Sequence, residues 1–413
     1  MQYSTFAAID IGSYDVILEI FEISKKQGIR SVDKICHRME LGKDTYTLGK
    51  IRPEMEEELC RVLADFVRIM EGYRVDDYRA TASSAISEAS NSLYVLGKIH
   101  QLTGLSVTVL SNSEQRFLSY KALAAMEDNF NKIIEKGTAI LDLDGGSFQI
   151  SLFDKDALVT TQNIRMGSLR IRERLAGIQS ETEHYEEMVE ELIWNEVSSF
   201  KKMYLKDRKI ENIMLIGDVF TDSVYQNIEE KTTKIISREN FNTWYEKIIR
   251  QSPMELAVKL GIPLENASLM YPSAVIYKCL IDMMGAEHIW IPGVHMTRGI
   301  AYEYAEQMKL LKGGHNFEND ILMAAKNIGK RYAVNRPHVQ NLEMTALAMF
   351  DATKKMHGMK ERERLLLQMA VMLHDVGKYI SFNNVADSSY NIIMSNEIIG
   401  LSHIEREMVA LIA

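Results

Sequence analysis

The 413-residue sequence predicts an α/β fold of two similar subdomains facing each other across a cleft, followed by an all-helical C-terminal region. Three observations carry this reading. An apolar run that ends in an aspartate and a small-residue turn occurs twice, as FAAIDIGS (6–13) and TAILDLDGGS (138–147), with Asp10 and Asp142 in matching positions. Each copy runs on into alternating apolar residues, the pattern of a β-turn-β hairpin opening each half of a repeat. Beyond LKGGHNFEND (311–320), a glycine-containing polar linker, apolar residues recur at helical spacing and strand signals are few.

The elements follow in order. The first hairpin turns at Asp10-Ile11-Gly12-Ser13, and Val16, Leu18 and Ile20 alternate along its return strand. Residues 53–72 form an amphipathic helix. Pro53 suits its first turn, acids crowd its N-terminal end, and Leu59, Val62, Leu63, Phe66, Val67 and Met70 share one face. A helix from about 90 to 103 is closed by Gly104, a strand follows at 106–111, and another helix runs from about 114 to 126. The second hairpin occupies 138–154, a strand 211–217, and a turn-to-helix join 294–308. Helices are expected at 318–332, 337–357, 360–374 and about 402–412, the last continuing to Ala413, which reads as an incomplete domain. The subdomains are placed at 1–125 and 126–310, and the helical domain at 316–413.

Composition narrows the function. Hydrophobic residues at 46% and charged residues at 25% exclude a largely disordered chain. A formal charge of −9 argues against a protein that holds DNA by bulk electrostatics. Cys36, Cys60 and Cys279 lack metal-like spacing and read as thiols in a reducing compartment. The N-terminus has no basic segment before a long apolar stretch, and no run approaches the length of a membrane span, so a soluble cytoplasmic protein is expected.

The two turns carry the chemistry. Small residues let backbone N–H groups converge on an anion, and an aspartate at the end of the preceding strand can hold Mg²⁺ against phosphate oxygens. Either turn alone is commonplace. Two with the same internal order, opening two halves of one chain, point to a phosphate cleft.

These paired loops resemble the phosphate motifs of the actin/Hsp70/sugar-kinase superfamily, and within it the exopolyphosphatase/guanosine pentaphosphate phosphohydrolase (Ppx/GppA) family. DIGSYD (10–15) is similar to that family's DIGSNS and DLDGGSFQ (142–149) to its DIGGGSTE. ASSAISEASN (82–91) resembles its ATSALREAxN, SNSEQR (111–116) its SGxEEA, and MGSLR (166–170) an MG-S/A-x-R element. LHDVGKYIS (373–381) and LSHIERE (401–407) resemble its helical HD-like domain. The resemblance implies two ribonuclease-H-like subdomains and hydrolysis of a terminal phosphoanhydride, of polyphosphate or of the guanine nucleotide pppGpp. It implies Mg²⁺ at Asp10 and Asp142, phosphate at Gly12, Ser13, Ser87, Gly145, Gly146 and Ser147, and catalysis at Glu114, Gln115 and Gln149. A homodimer is implied by resemblance alone.

Departures from the family pattern cut against that activity. Gln115 and Gln149 stand where the family has glutamates, and an amide neither accepts a proton at neutral pH nor rivals a carboxylate as a Mg²⁺ ligand. Ser87 replaces a phosphate-contacting arginine, Asp144 a loop glycine and Asp15 a loop serine. Like charges at roughly 4 Å repel by about 4 kcal/mol at an effective dielectric near 20. Gly217-Asp218-Val219 replaces a Gly-Gly-Thr turn, which also argues against a sugar or acetate kinase. The residues favour an inactive or impaired hydrolase, a reading that fails if Glu114 acts as a substitute base; the alternative is a non-catalytic phosphate or nucleotide sensor. His338, His374 and Asp375 form a second metal-like set, of the HD type, open to a divalent ion, to which His403 and Asp387 could contribute; in the bland reading His374 and Asp375 are a structural hydrogen-bonded pair. Tyr14, beside the first loop, reads as a stacking residue or as a filler of the phosphate site.

Overall fold

A computed structural model of the chain describes residues 4–126, 130–155, 157–176, 185–217, 219–227, 234–311 and 315–413. Its first sheet contains β1 (Ser4–Ile11), β2 (Asp15–Ser24), β3 (Gly28–Arg38), β4 (Asp77–Ala82) and β5 (Val107–Val109), in the order β3-β2-β1-β4-β5. The second contains β6 (Thr138–Leu143), β7 (Phe148–Asp154), β8 (Ala157–Ile164), β9 (Asn212–Ile216), β10 (Ile235–Ser237) and β11 (His288–Trp290), in the order β10-β11-β9-β6-β7-β8. In both, three antiparallel strands lead into two parallel ones, so β1, β2, β3, β4 and β5 repeat as β6, β7, β8, β9 and β11. β10 adds an antiparallel edge. The expected repeat is therefore present at the level of whole sheets. The third strand of each meander, β3 and β8, was not read from the sequence; β3 buries little and lacks a clean alternation.

Strand parity positions the two aspartates. Ala7, Ile9 and Ile11 face one core while Phe6 and Ala8 face another, which puts Asp10 on the second face. Likewise Ala139, Leu141 and Leu143 face one core and Ile140 the other, with Asp142 on the side of Ile140. The helix Asn112–Met126 serves both of these second faces: Leu118 packs with Phe6 and Phe21, and Tyr120 and Leu123 pack with Ile140 and Phe153. It lies between the sheets, and its N-terminus reaches the cleft through Gln115.

Packing crosses both of the expected domain boundaries. The helix Met296–Gln307, placed with the second subdomain, packs Ile300, Ala301, Tyr304 and Ala305 against β1 and β2 of the first sheet. The helical region 316–413 does not stand apart on a linker either. Phe317, Ile321 and Ile328 share one core with Ile140, Phe153, Leu158, Met214 and Ile216 of the second sheet. Its helices are Phe317–Arg331, Arg336–His357, Glu361–Leu373, Val385–Ser395 and His403–Ile412, the fourth unanticipated. Residues 312–314 of the expected linker lie outside the described residues. No helix among the described residues is long and apolar enough to cross a membrane.

Met296–Gln307 crosses Asn112–Met126 at Gly299, where an added Cβ would run into the Leu118 carbonyl. Gly299→Ala is expected to push these helices apart and destabilise the fold by about 1–3 kcal/mol in equilibrium urea unfolding, the usual cost of overpacking.

Candidate functional site

A cleft of about 370 Å³ opens between the sheets at the ends of β1 and β6. Asp10 pairs in register with Ile17 and Thr81, and Asp142 with Gln149 and Ile216, so the two carboxylates occupy equivalent ends of equivalent strands. Asp15, Asp144 and Asp222 line the same cleft. Against these five aspartates stand Lys34 and Arg38; His295, also lining the cleft, is held toward its neutral form by burial and lies 3.7 Å from Asp222.

The charge imbalance appears in the titration of the acids. Desolvation, then the charges of Asp15 and Asp144, push Asp10 up to about 8. Desolvation raises Asp142 and Asp144 to about 6, and raises Asp15 as well. The donor set is hard carboxylate oxygen in deficit of positive charge, which fits a hydrated divalent cation at Asp10 and Asp142.

The phosphate loops themselves are partly self-satisfied. Gly12 N donates to the Asp15 carbonyl at 2.9 Å, and Gly145 N donates to the Asp144 carboxylate at 2.6 Å. Asp144 thus occupies an amide that an anion would otherwise take. Ser13 is buried in a hydroxyl triangle with Tyr46 and Ser84, at 2.7 and 3.2 Å, closed by a Tyr46–Ser84 contact of 2.8 Å. Gly146 abuts this triangle, and a Cβ there would collide with the Tyr46 hydroxyl and Ser84 Oγ. Arg170 seals the join: its guanidinium lies 3.8 Å from the Tyr46 ring centroid, Nε donates to the Gly146 carbonyl at 2.8 Å, and it pairs with Glu88 at 3.0 Å.

Of the expected phosphate-binding residues, Gly12 and Gly145 line the cleft, whereas Ser13, Gly146 and Ser147 form the contact between the two loops or lie behind it. Ser87 is exposed at the surface, its Oγ directed to the Ser84 carbonyl at 3.4 Å. Tyr14 lines the cleft and donates to Asn266 Oδ1 at 2.7 Å, packing with Leu169 and Leu269, so it ties the first loop to the second subdomain. Gly217 and Val219 line the cleft as well, and Asp218 lies outside the described residues.

Gln115 and Gln149 both face the cleft, but Glu114 does not. Its carboxylate accepts from Ser111 N at 2.9 Å and Ser111 Oγ at 2.7 Å, while Glu114 N donates back to Ser111 Oγ at 3.3 Å. This is a capping box, which engages Glu114, the expected substitute base, at the helix N-terminus. The residue the sequence reading passed over is Arg116. It has no exposed surface, and its Nε donates to Gln149 Oε1 at 2.5 Å, Nη1 to Thr161 Oγ1, and Nη2 to Glu397 Oε2 at 2.6 Å. An arginine in the second turn of a helix gives no sequence signal of burial; its partners come from β7, β8 and the helical region.

In the helical region, ligand atoms of His338, His374 and Asp375 lie within 4.8 Å of one another. His374 Nδ1 donates to the Val371 carbonyl at 2.6 Å, and its Nε2 lies 3.3 Å from Asp375 Oδ1. The nitrogen and carboxylate donors fit a transition metal in type. Lys378 Nζ, 2.7 Å from Asp375 Oδ1, competes for the same carboxylate. Neither Asp387 nor His403 joins the group.

The chain matches the family description "Ppx/GppA phosphatase family" over residues 20–308 and "Ppx/GppA phosphatase, domain III" over 322–413. A bifunctional 3-dehydroquinate synthase/phosphatase of Fusobacterium nucleatum is 21% identical over 310 residues, 68% of this chain and 44% of that protein's length. A guanosine-5'-triphosphate,3'-diphosphate pyrophosphatase of Vibrio atlanticus is 18% identical over 408 residues, 97% of this chain and 78% of the relative. Among solved structures, an exopolyphosphatase from Cytophaga hutchinsonii superposes with a TM-score of 0.65 at 17% identity, covering 74% of this chain and 98% of the other. The Aquifex aeolicus Ppx/GppA family member gives 0.61 at 17% identity, covering 74% and 99%.

Two outcomes are expected from this geometry. Glu397→Ala would leave the Arg116 charge buried without its carboxylate, lowering stability by about 3–5 kcal/mol in urea unfolding. The second concerns pH. Asp10, ordinarily at 3.8, is raised to about 8, so the folded state retains a proton that the unfolded state loses above about pH 4. Stability is therefore greatest in acid and falls as pH rises toward 8, by at most about 1.4 kcal/mol per pH unit. Asp10→Asn should flatten that part of the slope, measurable by unfolding at pH 5 and pH 8 without divalent cations.

Proposed function

The chain belongs to the Ppx/GppA phosphatase family, and we propose that within it the protein binds the terminal phosphoryl groups of polyphosphate or a guanine nucleotide while hydrolysing them poorly. The observation that carries this is the fate of the family's two acidic positions. Gln115 and Gln149 present amides to the cleft, and the nearest glutamate, Glu114, is committed to a helix cap. An amide can orient a water molecule but cannot take its proton, so neither glutamine can serve as the general base.

Binding asks less of the site. Asp10 and Asp142 are the residues that would hold Mg²⁺, and Lys34 and Arg38 at the cleft wall add positive charge toward a phosphate chain. Mg²⁺, when bound, supplies the charge neutralisation that phosphoryl oxygens require beside these aspartates. The interlocked Ser13–Tyr46–Gly146 contact and the Tyr14–Asn266 hydrogen bond join the two halves behind the ligand, as suits a protein that reports occupancy by closure.

A second reading has its own observation. Asp142 and Asp144 are raised to about 6, a range suited to a general base near neutral pH. On this reading a slow hydrolysis survives, with Asp144 accepting the proton of water.

Phosphate release from polyphosphate and from pppGpp with Mg²⁺, followed between pH 5 and 9, separates the two. The proposal expects calorimetric binding of both ligands without release above the no-protein rate. Turnover that rises through about pH 6 and is abolished in Asp144→Asn would refute it and establish the second reading. In Gln115→Glu/Gln149→Glu, Arg116 would pair with the new carboxylate at 149, so phosphate release regained by the variant is expected to depend on the carboxylate introduced at position 115, which faces the cleft, and to be matched by Gln115→Glu alone.

A further inference from the structure

Arg116 has a consequence for the cleft beyond its pairing with Glu397. A guanidinium only donates hydrogen bonds, so the atom of Gln149 that meets Arg116 Nε at 2.5 Å is the carboxamide oxygen. The amide is planar, and its NH₂ group must then point away from Arg116. Gln149 lines the cleft, and among the described residues no acceptor takes its Nε2 protons. The alternative amide orientation would set N–H against N–H and is excluded by the chemistry of arginine.

We propose that Arg116 is a positioning residue that turns the N–H edge of Gln149 toward the cleft and so makes position 149 a hydrogen-bond donor to a phosphoryl oxygen. A glutamate at this position would be an acceptor and a negative charge; the Arg116–Gln149 pair presents two donors and no charge. A second polar group supports the same ligand chemistry. Ser83, at the end of β4, is buried, its Oγ has no partner, and it lines the same cleft. Because Gly145 N is already taken by Asp144, side-chain donors replace part of what the loop amides would give. The donor role depends on the helical region, since Glu397 balances the charge that holds Gln149 in place. The inference rests on the reading of the cleft as a phosphate site.

The test uses the full-length chain with inorganic tripolyphosphate and Mg²⁺. Affinity is measured by calorimetry, and the Gln149 side-chain amide is followed by ¹⁵N NMR, assigned through its loss in Gln149→Leu. Wild type should bind and shift the Gln149 amide resonances. Gln149→Glu, which keeps an ion pair with Arg116 and hence the fold, should bind at least about tenfold more weakly, the worth of a hydrogen bond to a charged group. Arg116→Met should weaken binding similarly, and Arg116→Lys, which can still donate to the amide oxygen, should recover part of the loss. If Arg116→Met fails to fold, Gln149→Glu decides. Tripolyphosphate binding with an unmoved Gln149 resonance, or equal affinity in Gln149→Glu, would overturn the inference and leave the phosphate reading standing. No binding by wild type would overturn both.

Discussion

A guanidinium with no contact to solvent must find its partners inside the protein, and Arg116 finds them in three separate parts of the chain: Gln149 on β7, Thr161 on β8 and Glu397 beyond the fourth helix of the C-terminal region. An uncompensated buried charge costs several kcal/mol, so these segments are held together by electrostatic necessity as well as by the apolar core they share. The helix Asn112–Met126 carries Arg116 between the two sheets, with Leu118 turned to one and Tyr120 to the other. The position of Gln115 at the cleft, one residue earlier, follows from the same helix. One side chain therefore fixes where the sheets, the helical region and the cleft meet.

The cleft itself is a balance between inherited geometry and altered charge. Equivalent strand ends deliver Asp10 and Asp142, and Asp15, the first residue of β2, and Asp144, in the turn after β6, add two more carboxylates. The added acids act differently. Asp144 folds back on Gly145 N and imitates a bound anion, while Asp15 receives a weak hydrogen bond from Cys36 at 3.5 Å. Both add negative charge to the cleft, and a like charge brought to within a few ångströms of either would be repelled.

What was legible in the sequence was the part with a local signature. The repeated apolar-Asp-turn pattern locates Asp10 and Asp142 correctly because strand ends and small-residue turns are written in adjacent residues. The joining of His338 to His374 and Asp375 was legible for the same reason, through the spacing of one short motif and one earlier histidine. The capping role of Glu114 is not legible, because a capping box and a catalytic carboxylate look alike in sequence, and only the structure shows Ser111 near enough to engage the carboxylate. Arg116 was not legible, since nothing within ten residues of it explains its burial. Ser13 and Gly146 were recognised as a pair of loop residues, yet their role in holding the loops together depends on Tyr46, which comes from the helix Leu41–Leu48 and carries no motif of its own.

The identities of residues 116 and 149 are physically bound to each other. A glutamate at 149 facing Arg116 would be held as an ion pair, its carboxylate fully ionised and turned from the cleft, and so would be a poor base even in the position the family uses. A glutamine facing the small residue the family carries at 116 would have its amide free to rotate and no preference for donor or acceptor. Only the combination gives an oriented, uncharged donor, and Glu397 completes it by neutralising the guanidinium from the helical region. The identity of the side chain at 149 and the buried arginine at 116 are in that sense one feature, an amide whose orientation is set by the guanidinium it faces.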